Sequence, residues 1–137
     1  MKTNQNDSLL RVIDANINRY KEGIRVVEDI YRYIYNDKKI ASDLKSLRHI
    51  NIPININELL QARDSINDVL KQSTKSEQNR QNLENIVIAN IKRAQESARV
   101  LEELFKLIDI QTSEIFKNNR YKLYNIEKLI FINPSTK

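Results

Sequence analysis

The chain repeats a segment of itself. Residues 15–33 read ANINRYKEGIRVVEDIYRY and residues 89–107 read ANIKRAQESARVLEELFKL, at a constant offset of 74 positions. Eight of the nineteen aligned positions are identical, whereas unrelated segments share about one. A weaker echo follows each copy, since Leu44-Lys45 with Arg48 corresponds to Phe116-Lys117 with Arg120. The duplicated unit therefore comprises a long segment and the shorter one after it.

Both copies have the apolar spacing of amphipathic helices. Each unit is thus expected to form a long helix and an antiparallel partner, and two units bury their apolar stripes against each other as a four-helix bundle. We predict an all-α fold in a single domain of residues 1–137. Repeat one covers about residues 8–50, a connector with a short helix and a polar loop covers 51–76, and repeat two covers 77–132.

Start and stop signals suggest where the helices lie. Ser8 is the predicted N-cap of the first helix, which Asn36-Asp37 ends after about Tyr35. The later helices are expected at about 38–49, 55–64, from Thr74 or Asn82 to 108, and 112–131. Residues 65–75 are polar and poorly periodic, which favours a loop.

Composition excludes several classes of protein. The single Gly rules out a glycine-rich phosphate loop or dinucleotide fingerprint, which needs several glycines close together. The absence of Cys excludes a disulfide scaffold and thiolate metal sites, and suits a reducing cytosol. No apolar run is long enough to span a membrane, and residues 1–7 lack the apolar stretch of a signal peptide. We therefore expect a cytoplasmic protein without a membrane partner.

The formal net charge is +5, but basic and acidic residues are mixed along the chain. This pattern argues against a nucleic-acid partner, which usually binds a clustered basic surface. A mild positive balance suits small anionic molecules.

Three polar or small residues interrupt the apolar face of the first long helix. With Ala15 at 0° and 100° per residue, the apolar positions span about 0° to 200°. Arg19, Gly23 and Asn16 fall inside this arc, and Arg93, Ser97 and Asn90 repeat the pattern in the second copy.

Two interpretations fit the arginines. Arg19 and Arg93 can pair with a carboxylate such as Glu22 or Glu96 in a structural network, because an unpaired buried Arg is costly. Alternatively, they face one pocket between the repeats, with Asn16 and Asn90, and bind an anion; the planar guanidinium suits phosphate. Gly23 and Ser97 share only their small size, which indicates either a close helix crossing or a ligand contact.

Other polar residues are expected to be structural. Arg25, Glu28, Arg99 and Glu102 have the spacing of exposed ion pairs on the outer face. Four tyrosines are expected in the core or at its boundary: Tyr31, Tyr33, Tyr121 and Tyr124.

The polar segment 63–80 is either a plain surface loop or a rim over a site. In the second interpretation its arginines, Arg63 and Arg80, bind phosphate. Its acidic residues, Asp64, Asp68 and Glu77, then bind Mg²⁺, which prefers carboxylate oxygens.

These segments, taken in order, resemble the helical domain at the N-terminus of some bacterial thiamine-phosphate synthases. The similarity covers about residues 10–132 and is carried by IDANINRYKEGIRVVEDIYRY, LKSLRH, ARDSINDV, TKSEQNR and ANIKRAQESARVLEE. One position departs from the family pattern, since Leu70 follows Asp68-Val69 where the family has Gly. Where the domain is fused, a (β/α) barrel that makes thiamine phosphate follows it; the sequence ends at Lys137, so that condensation is not expected here.

The resemblance implies an all-helical hydroxymethylpyrimidine-phosphate kinase that uses ATP and Mg²⁺. It transfers the γ-phosphoryl group to 4-amino-5-hydroxymethyl-2-methylpyrimidine phosphate. Its pattern matches this chain at these positions: Asn16, Arg19, Glu22, Arg63, Asp64, Asp68, Glu77, Arg80, Asn90, Arg93 and Glu96.

We assign candidate roles on this basis. The predicted catalytic residues are Arg19, Arg93, Glu22 and Glu96, and the predicted metal ligands are Asp64, Asp68 and Glu77. Substrate binding is assigned to Asn16, Asn90, Gly23, Ser97, Arg63 and Arg80. Thiamine-phosphate synthase is a candidate partner. The sequence leaves open whether the chain forms a homo-oligomer. Two rival functions also remain open: a non-catalytic domain that binds pyrimidine phosphates, and a purely structural helical module.

Overall fold

The computed structural model describes the backbone of residues 2–132 and the side chains of residues 6–75 and 77–132. It contains six α-helices: α1 (Lys2–Asp29), α2 (Lys38–Arg48), α3 (Ile56–Ala62), α4 (Lys75–Gln78), α5 (Leu83–Phe105) and α6 (Ile110–Ile132). A π-helical segment, Ile30–Ile34, extends α1. No strand occurs in the described range, so the predicted all-α class is confirmed.

The first helix starts earlier than predicted. Ser8 lies inside α1 rather than at its N-cap. The residues before Ser8 are polar but include no Gly or Pro, so nothing in them prevents helical backbone. The predicted break is correct: Asn36 has a positive φ of 54°, and the Asp37 side chain accepts the Ile40 N–H to cap α2.

The two residues predicted as alternative starts of one helix, Thr74 and Asn82, instead begin two successive helices. Thr74 and Glu77 form a complete capping box on the short α4, and Asn82 then caps α5. Helix α5 ends at Phe105 rather than residue 108, because residues 106–108 switch to turn hydrogen bonds. Helix α6 begins at Ile110, with the Asp109 carboxylate accepting the Thr112 N–H.

The long helices pack as the duplication predicts. Helices α1 and α5 lie against each other, α2 packs on α1, and α6 packs on α5. Contacts of Glu102 with Ser113 and of Gln95 with Glu127 show that α6 runs antiparallel to α5. Helix α3 lies against α1, which brings the connector over one face of this helix.

Equivalent positions of the two copies have like environments. Ile17 and Ile91, Val27 and Leu101, and Tyr31 and Phe105 are buried at the 74-residue offset. The two Asn side chains also make the same local hydrogen bond: Asn16 Nδ2 donates to Val12 O, and Asn90 Nδ2 donates to Ile86 O.

Two glutamates predicted on the outer face are instead buried. Glu28 is 1 % exposed and accepts Arg48 Nε at 2.7 Å, while Glu102 is 5 % exposed and accepts Arg120 Nε at 3.0 Å. Arg25 and Arg99 are exposed as predicted. The buried face of α1 is rotated by about 60° from the predicted apolar arc. Its buried residues span about 60° to 260° on the helical wheel, and this range includes Glu28 near 220°.

The tyrosines divide between core and surface. Tyr31 is buried, but Tyr33, Tyr121 and Tyr124 are exposed, which corrects their predicted placement. The centre of the core is Tyr20, whose hydroxyl donates to Leu47 O at 2.7 Å and accepts Asn119 Nδ2 at 3.0 Å. No helix in the described part of the chain is long and apolar enough to cross a membrane.

Candidate functional site

A cavity of about 590 Å³ lies between the N-terminal half of α1 and the start of the polar loop. This volume is within the range of small-molecule sites. The predicted site residues that it brings together are Asn16, Arg19, Arg63, Asp64 and Asp68. Its remaining lining residues are Ser8, Arg11, Val12, Asp14, Ala15, Asn18 and Ser65.

Arg63 fastens the loop to α1. Its Nε and Nη2 donate to the two carboxylate oxygens of Asp14 at 2.7 and 2.8 Å. This hydrogen bonding raises the pKa of Arg63 above its ordinary value. Arg11 adds a second tie through Nη2 to Asp64 O at 2.8 Å. Because its planar fork is engaged by Asp14, Arg63 shapes the cavity wall, a role that differs from the predicted substrate contact.

Sequence reasoning missed Asp14, which is 4 % exposed and holds this wall in place. The residue lies near 260° on the helical wheel, among positions that look polar and solvated. No periodicity marks it, because its burial depends on a partner 49 residues away.

Arg19 is a cation of this cavity whose side chain has no partner among the described residues. Its side chain forms no hydrogen bond or ion pair with the residues that the structure describes, so the predicted structural network with Glu22 or Glu96 is not formed. Arg19 is nevertheless exposed rather than buried, because its position near 40° lies outside the true buried face. The exposed Val26 and Tyr33, near 20° and 0°, had shifted the predicted arc toward it.

The second copy does not reach this cavity. Neither Asn90 nor Arg93 lines it, so the predicted shared pocket is not seen. Arg93 is exposed for the same reason as Arg19, and its positive charge acts on Glu77 of α4. Glu22 and Glu96 are also exposed, and Glu22 acts electrostatically on Arg63.

The three predicted metal ligands have different surroundings. Asp64 accepts two hydrogen bonds from Asn67, which lower the pKa of its carboxyl below the ordinary value. Asp68 accepts the Leu70 N–H through Oδ1. Glu77 accepts the Thr74 N–H at the start of α4, which lowers its pKa, and it lies outside the cavity lining. No group of three or more acidic or histidine side chains within the described residues could hold a metal.

The remaining predicted contacts have structural explanations. A Cβ on Gly23 would lie 2.8 Å from Asn90 O, so the missing side chain permits the close crossing of α1 and α5. Ser97 is buried at the equivalent place. Arg80 is exposed, donates to Asn79 O, and does not line the cavity.

Comparisons with known proteins identify the family. A sequence model described as the ThiD2 family matches residues 11–129. The chain is 36 % identical over 127 residues to a thiamine-phosphate synthase of Thermosynechococcus vestitus, covering 92 % of this chain and 36 % of that protein. It is 36 % identical over 121 residues to the enzyme so named in Synechocystis sp., covering 88 % and 35 %.

The chain is also 34 % identical over 129 residues to a thiamine-phosphate synthase of Rhodopirellula baltica, covering 90 % of this chain and 34 % of that protein. The chain thus spans about a third of the length of the curated relatives it matches. No solved structure matches it. Because the family model extends over nearly the whole sequence, the chain belongs to the ThiD2 family.

Proposed function

We propose that this protein acts in thiamine biosynthesis as a hydroxymethylpyrimidine-phosphate kinase. The observation that carries the proposal is the unpaired Arg19 guanidinium in the 590 Å³ cavity, whose lining also includes Asn16, Asp64 and Asp68. A free guanidinium favours a phosphate-bearing ligand. Family membership and relatives named thiamine-phosphate synthase support the pathway, and the acceptor is the one that the resemblance implies.

The proposed reaction needs little acid–base chemistry from the protein. An oxygen of the acceptor's phosphate attacks the γ-phosphorus of ATP, a new P–O bond forms, and the bond to the β,γ-bridging oxygen breaks to release ADP. The attacking oxygen is already ionised at neutral pH, so no strong general base is required. Positioning and charge stabilisation dominate phosphoryl transfer, and Arg19 supplies positive charge for it. We propose that Arg93 and Asn90, which lie outside this cavity, form a second phosphate contact.

The donor set of the cavity fits Mg²⁺. This ion is usually held by one or two carboxylates together with substrate phosphates, and Asp64 and Asp68 are the two carboxylates of the cavity besides the one paired with Arg63. When bound, Mg²⁺ would offset the negative charge of the phosphates. Asp64, whose carboxylate Asn67 holds by two hydrogen bonds, would be its first ligand, with Asp68 as the second.

The decisive measurement is coupled ADP release by the purified protein with Mg-ATP and either the pyrimidine monophosphate or the free alcohol. We expect diphosphate formation with a strong preference for the monophosphate, because the alcohol cannot form a charge-assisted hydrogen bond with Arg19. Arg19→Met should lower kcat/KM about 10- to 100-fold, as one charge-assisted hydrogen bond contributes about 1.5–3 kcal/mol.

Arg25→Met is the matched control for this measurement. Arg25 is exposed on the same helix and pairs with Asp29, away from the cavity, so its loss should leave turnover unchanged. Equal losses in both variants, or equal turnover of alcohol and monophosphate, would contradict the assigned role of Arg19.

The second candidate is a non-catalytic domain that binds pyrimidine phosphates. The observation that favours it is that the matching segment makes up only about a third of relatives named for a different reaction. This alternative expects monophosphate binding that depends on Arg19 but gives no product with any donor. Calorimetry on the same samples separates the two candidates.

A further inference from the structure

A second cavity, of about 510 Å³, lies between α2 and α6. It shares no lining residue with the α1–loop cavity. Its walls combine two apolar side chains with polar groups and one aromatic ring: Asp43, Ser46, Leu47, Asn119, Tyr121, Lys122, Asn125 and Ile126. The proposed phosphoryl transfer uses none of these residues.

The hydrogen-bond network of the core fixes the orientation of Asn119 in this cavity. The single proton of the Tyr20 hydroxyl is donated to Leu47 O at 2.7 Å. The Tyr20 oxygen can therefore only accept from Asn119, 3.0 Å away, so the Asn119 group that faces it must be the amide NH₂. Burial raises the pKa of Tyr20 far above its ordinary value, so this proton stays in place at any working pH.

This arrangement leaves the Asn119 carbonyl oxygen directed away from Tyr20. The residue is 7 % exposed, and Oδ1 accepts no hydrogen bond from the residues that the structure describes. No fully enclosed side-chain N or O in the described chain lacks a partner, so this oxygen keeps some accessible surface, and the cavity is an opening that Asn119 lines. The cavity thus presents a fixed hydrogen-bond acceptor on an otherwise buried side chain, which favours a ligand that brings a donor.

The aromatic wall of the cavity is also held in position. The Arg120 guanidinium lies 5.0 Å from the centroid of the Tyr121 ring, and the centroids of the Tyr121 and Tyr124 rings are 5.9 Å apart. Arg120 is itself anchored by the buried Glu102. Tyr121 nevertheless remains 57 % exposed, so its ring is available for stacking.

We propose that the α2–α6 cavity binds a planar aromatic ring that carries an amino group. The amino group would donate to Asn119 Oδ1 while the ring stacks on Tyr121. If the function proposed above holds, two of its reactants carry such a ring: the adenine of the nucleotide and the aminopyrimidine of the acceptor.

Binding to the full ¹⁵N-labelled chain, followed by NMR without turnover, tests this site. The probes are adenosine and 4-amino-5-hydroxymethyl-2-methylpyrimidine, each paired with an analogue whose amino group is replaced by oxygen: inosine and the 4-oxo pyrimidine. At least one amino probe should shift the Asn119 and Tyr121 signals and bind about tenfold more tightly than its oxo analogue, because the oxo group places an acceptor against an acceptor. The amino probe that binds identifies which reactant the cavity takes.

Asn119→Ala should abolish this preference, whereas Asn118→Ala should not, since Asn118 is exposed on the same helix and does not line the cavity. If Asn119→Ala does not fold, the comparison of amino and oxo probes on the unchanged chain still shows whether the cavity prefers an amino group. The proposal is overturned if neither amino probe binds, if the signals that shift map to the α1–loop cavity instead, or if amino and oxo analogues bind equally. A kinase that turns over normally but fails this test would disprove the site alone.

Discussion

Buried ion pairs occur at equivalent positions in the two repeats. Glu28 of α1 pairs with Arg48 of α2, and Glu102 of α5 pairs with Arg120 of α6. In each repeat the pair therefore joins the first helix to the helix that packs against it. Such pairs contribute modestly when intact but are costly to break, because the remaining charge is left without a partner in the protein interior. The repeated glutamates and the echo of Arg48 in Arg120 were visible in the sequence and could have indicated this pairing.

We expect Arg120→Met to lower the free energy of unfolding by about 3 kcal/mol. The variant leaves the buried Glu102 carboxylate with only the exposed Arg99, 3.6 Å away, as an ion-pair partner, and it removes the Arg120 contacts with the Tyr124 hydroxyl and the Tyr121 ring. Urea denaturation followed by circular dichroism measures the change. Arg25→Met, which removes an exposed pair with Asp29, should change stability by about 0.5 kcal/mol or less. Similar losses in both variants would contradict the distinction between buried and exposed pairs.

At the level of helices, the crossing of α1 and α5 depends on the only Gly in the sequence. The α5 backbone approaches so closely that a Cβ at position 23 would lie 2.8 Å from Asn90 O and 3.4 Å from Ala94 N. A mid-helix Gly costs about 1 kcal/mol relative to Ala, so its use here reflects the geometry of the contact. Of the two interpretations of Gly23, a close helix crossing or a ligand contact, the structure shows the close crossing.

Gly23→Ala should destabilise the protein by about 1–2 kcal/mol, despite the better helix propensity of Ala. The atoms that meet the new methyl group belong to the α5 backbone, which cannot rotate away, and overpacking of this kind costs about 1–3 kcal/mol. Thermal denaturation of this variant and of Ser97→Ala provides the measurement. Ser97 already carries a Cβ at the equivalent position, so its replacement adds no atom and should have the smaller effect. A stabilised Gly23→Ala variant would show that the helices separate easily.

Across the whole molecule, the Tyr20 hydroxyl joins three helices. It lies on α1, donates to the last turn of α2 at Leu47, and accepts from Asn119 of α6 in the other repeat. Its ring also packs edge-on against Phe116 of α6, with centroids 5.5 Å apart. The two units therefore share a polar contact inside an apolar core.

Tyr20→Phe should lower the free energy of unfolding by about 1–3 kcal/mol, because the Asn119 amide and the Leu47 carbonyl lose their partner while staying inside the protein. Chemical denaturation measures this effect, and Tyr33→Phe, at an exposed position, is the matched control. The variant should also free the Asn119 side chain to rotate, which NMR of its amide group can detect. Unchanged stability would mean that water replaces the hydroxyl at no cost.

The sequence by itself determined the architecture. A constant offset of 74 and a shared apolar period required two similar helix pairs, and the caps at Asp37, Thr74 and Asn82 follow from local hydrogen-bonding chemistry. These features depend on neighbours within a few residues or on direct comparison of the two copies, so they can be read along the chain. The same comparison singled out Asn16 and Arg19, but only the tertiary structure places them in one cavity with Asp64 and Asp68.

Only the tertiary structure decided which face of each long helix is buried. Exposed apolar residues such as Val26 shifted the apparent arc, so Arg19 was placed inside and Glu28 outside, the reverse of the outcome. Arg63 and Asp14 likewise pair across 49 residues, and Tyr20 meets Asn119 across 99. Helical periodicity reports the average polarity of a face, whereas the burial of a charged or polar group depends on the partner that another element brings to it.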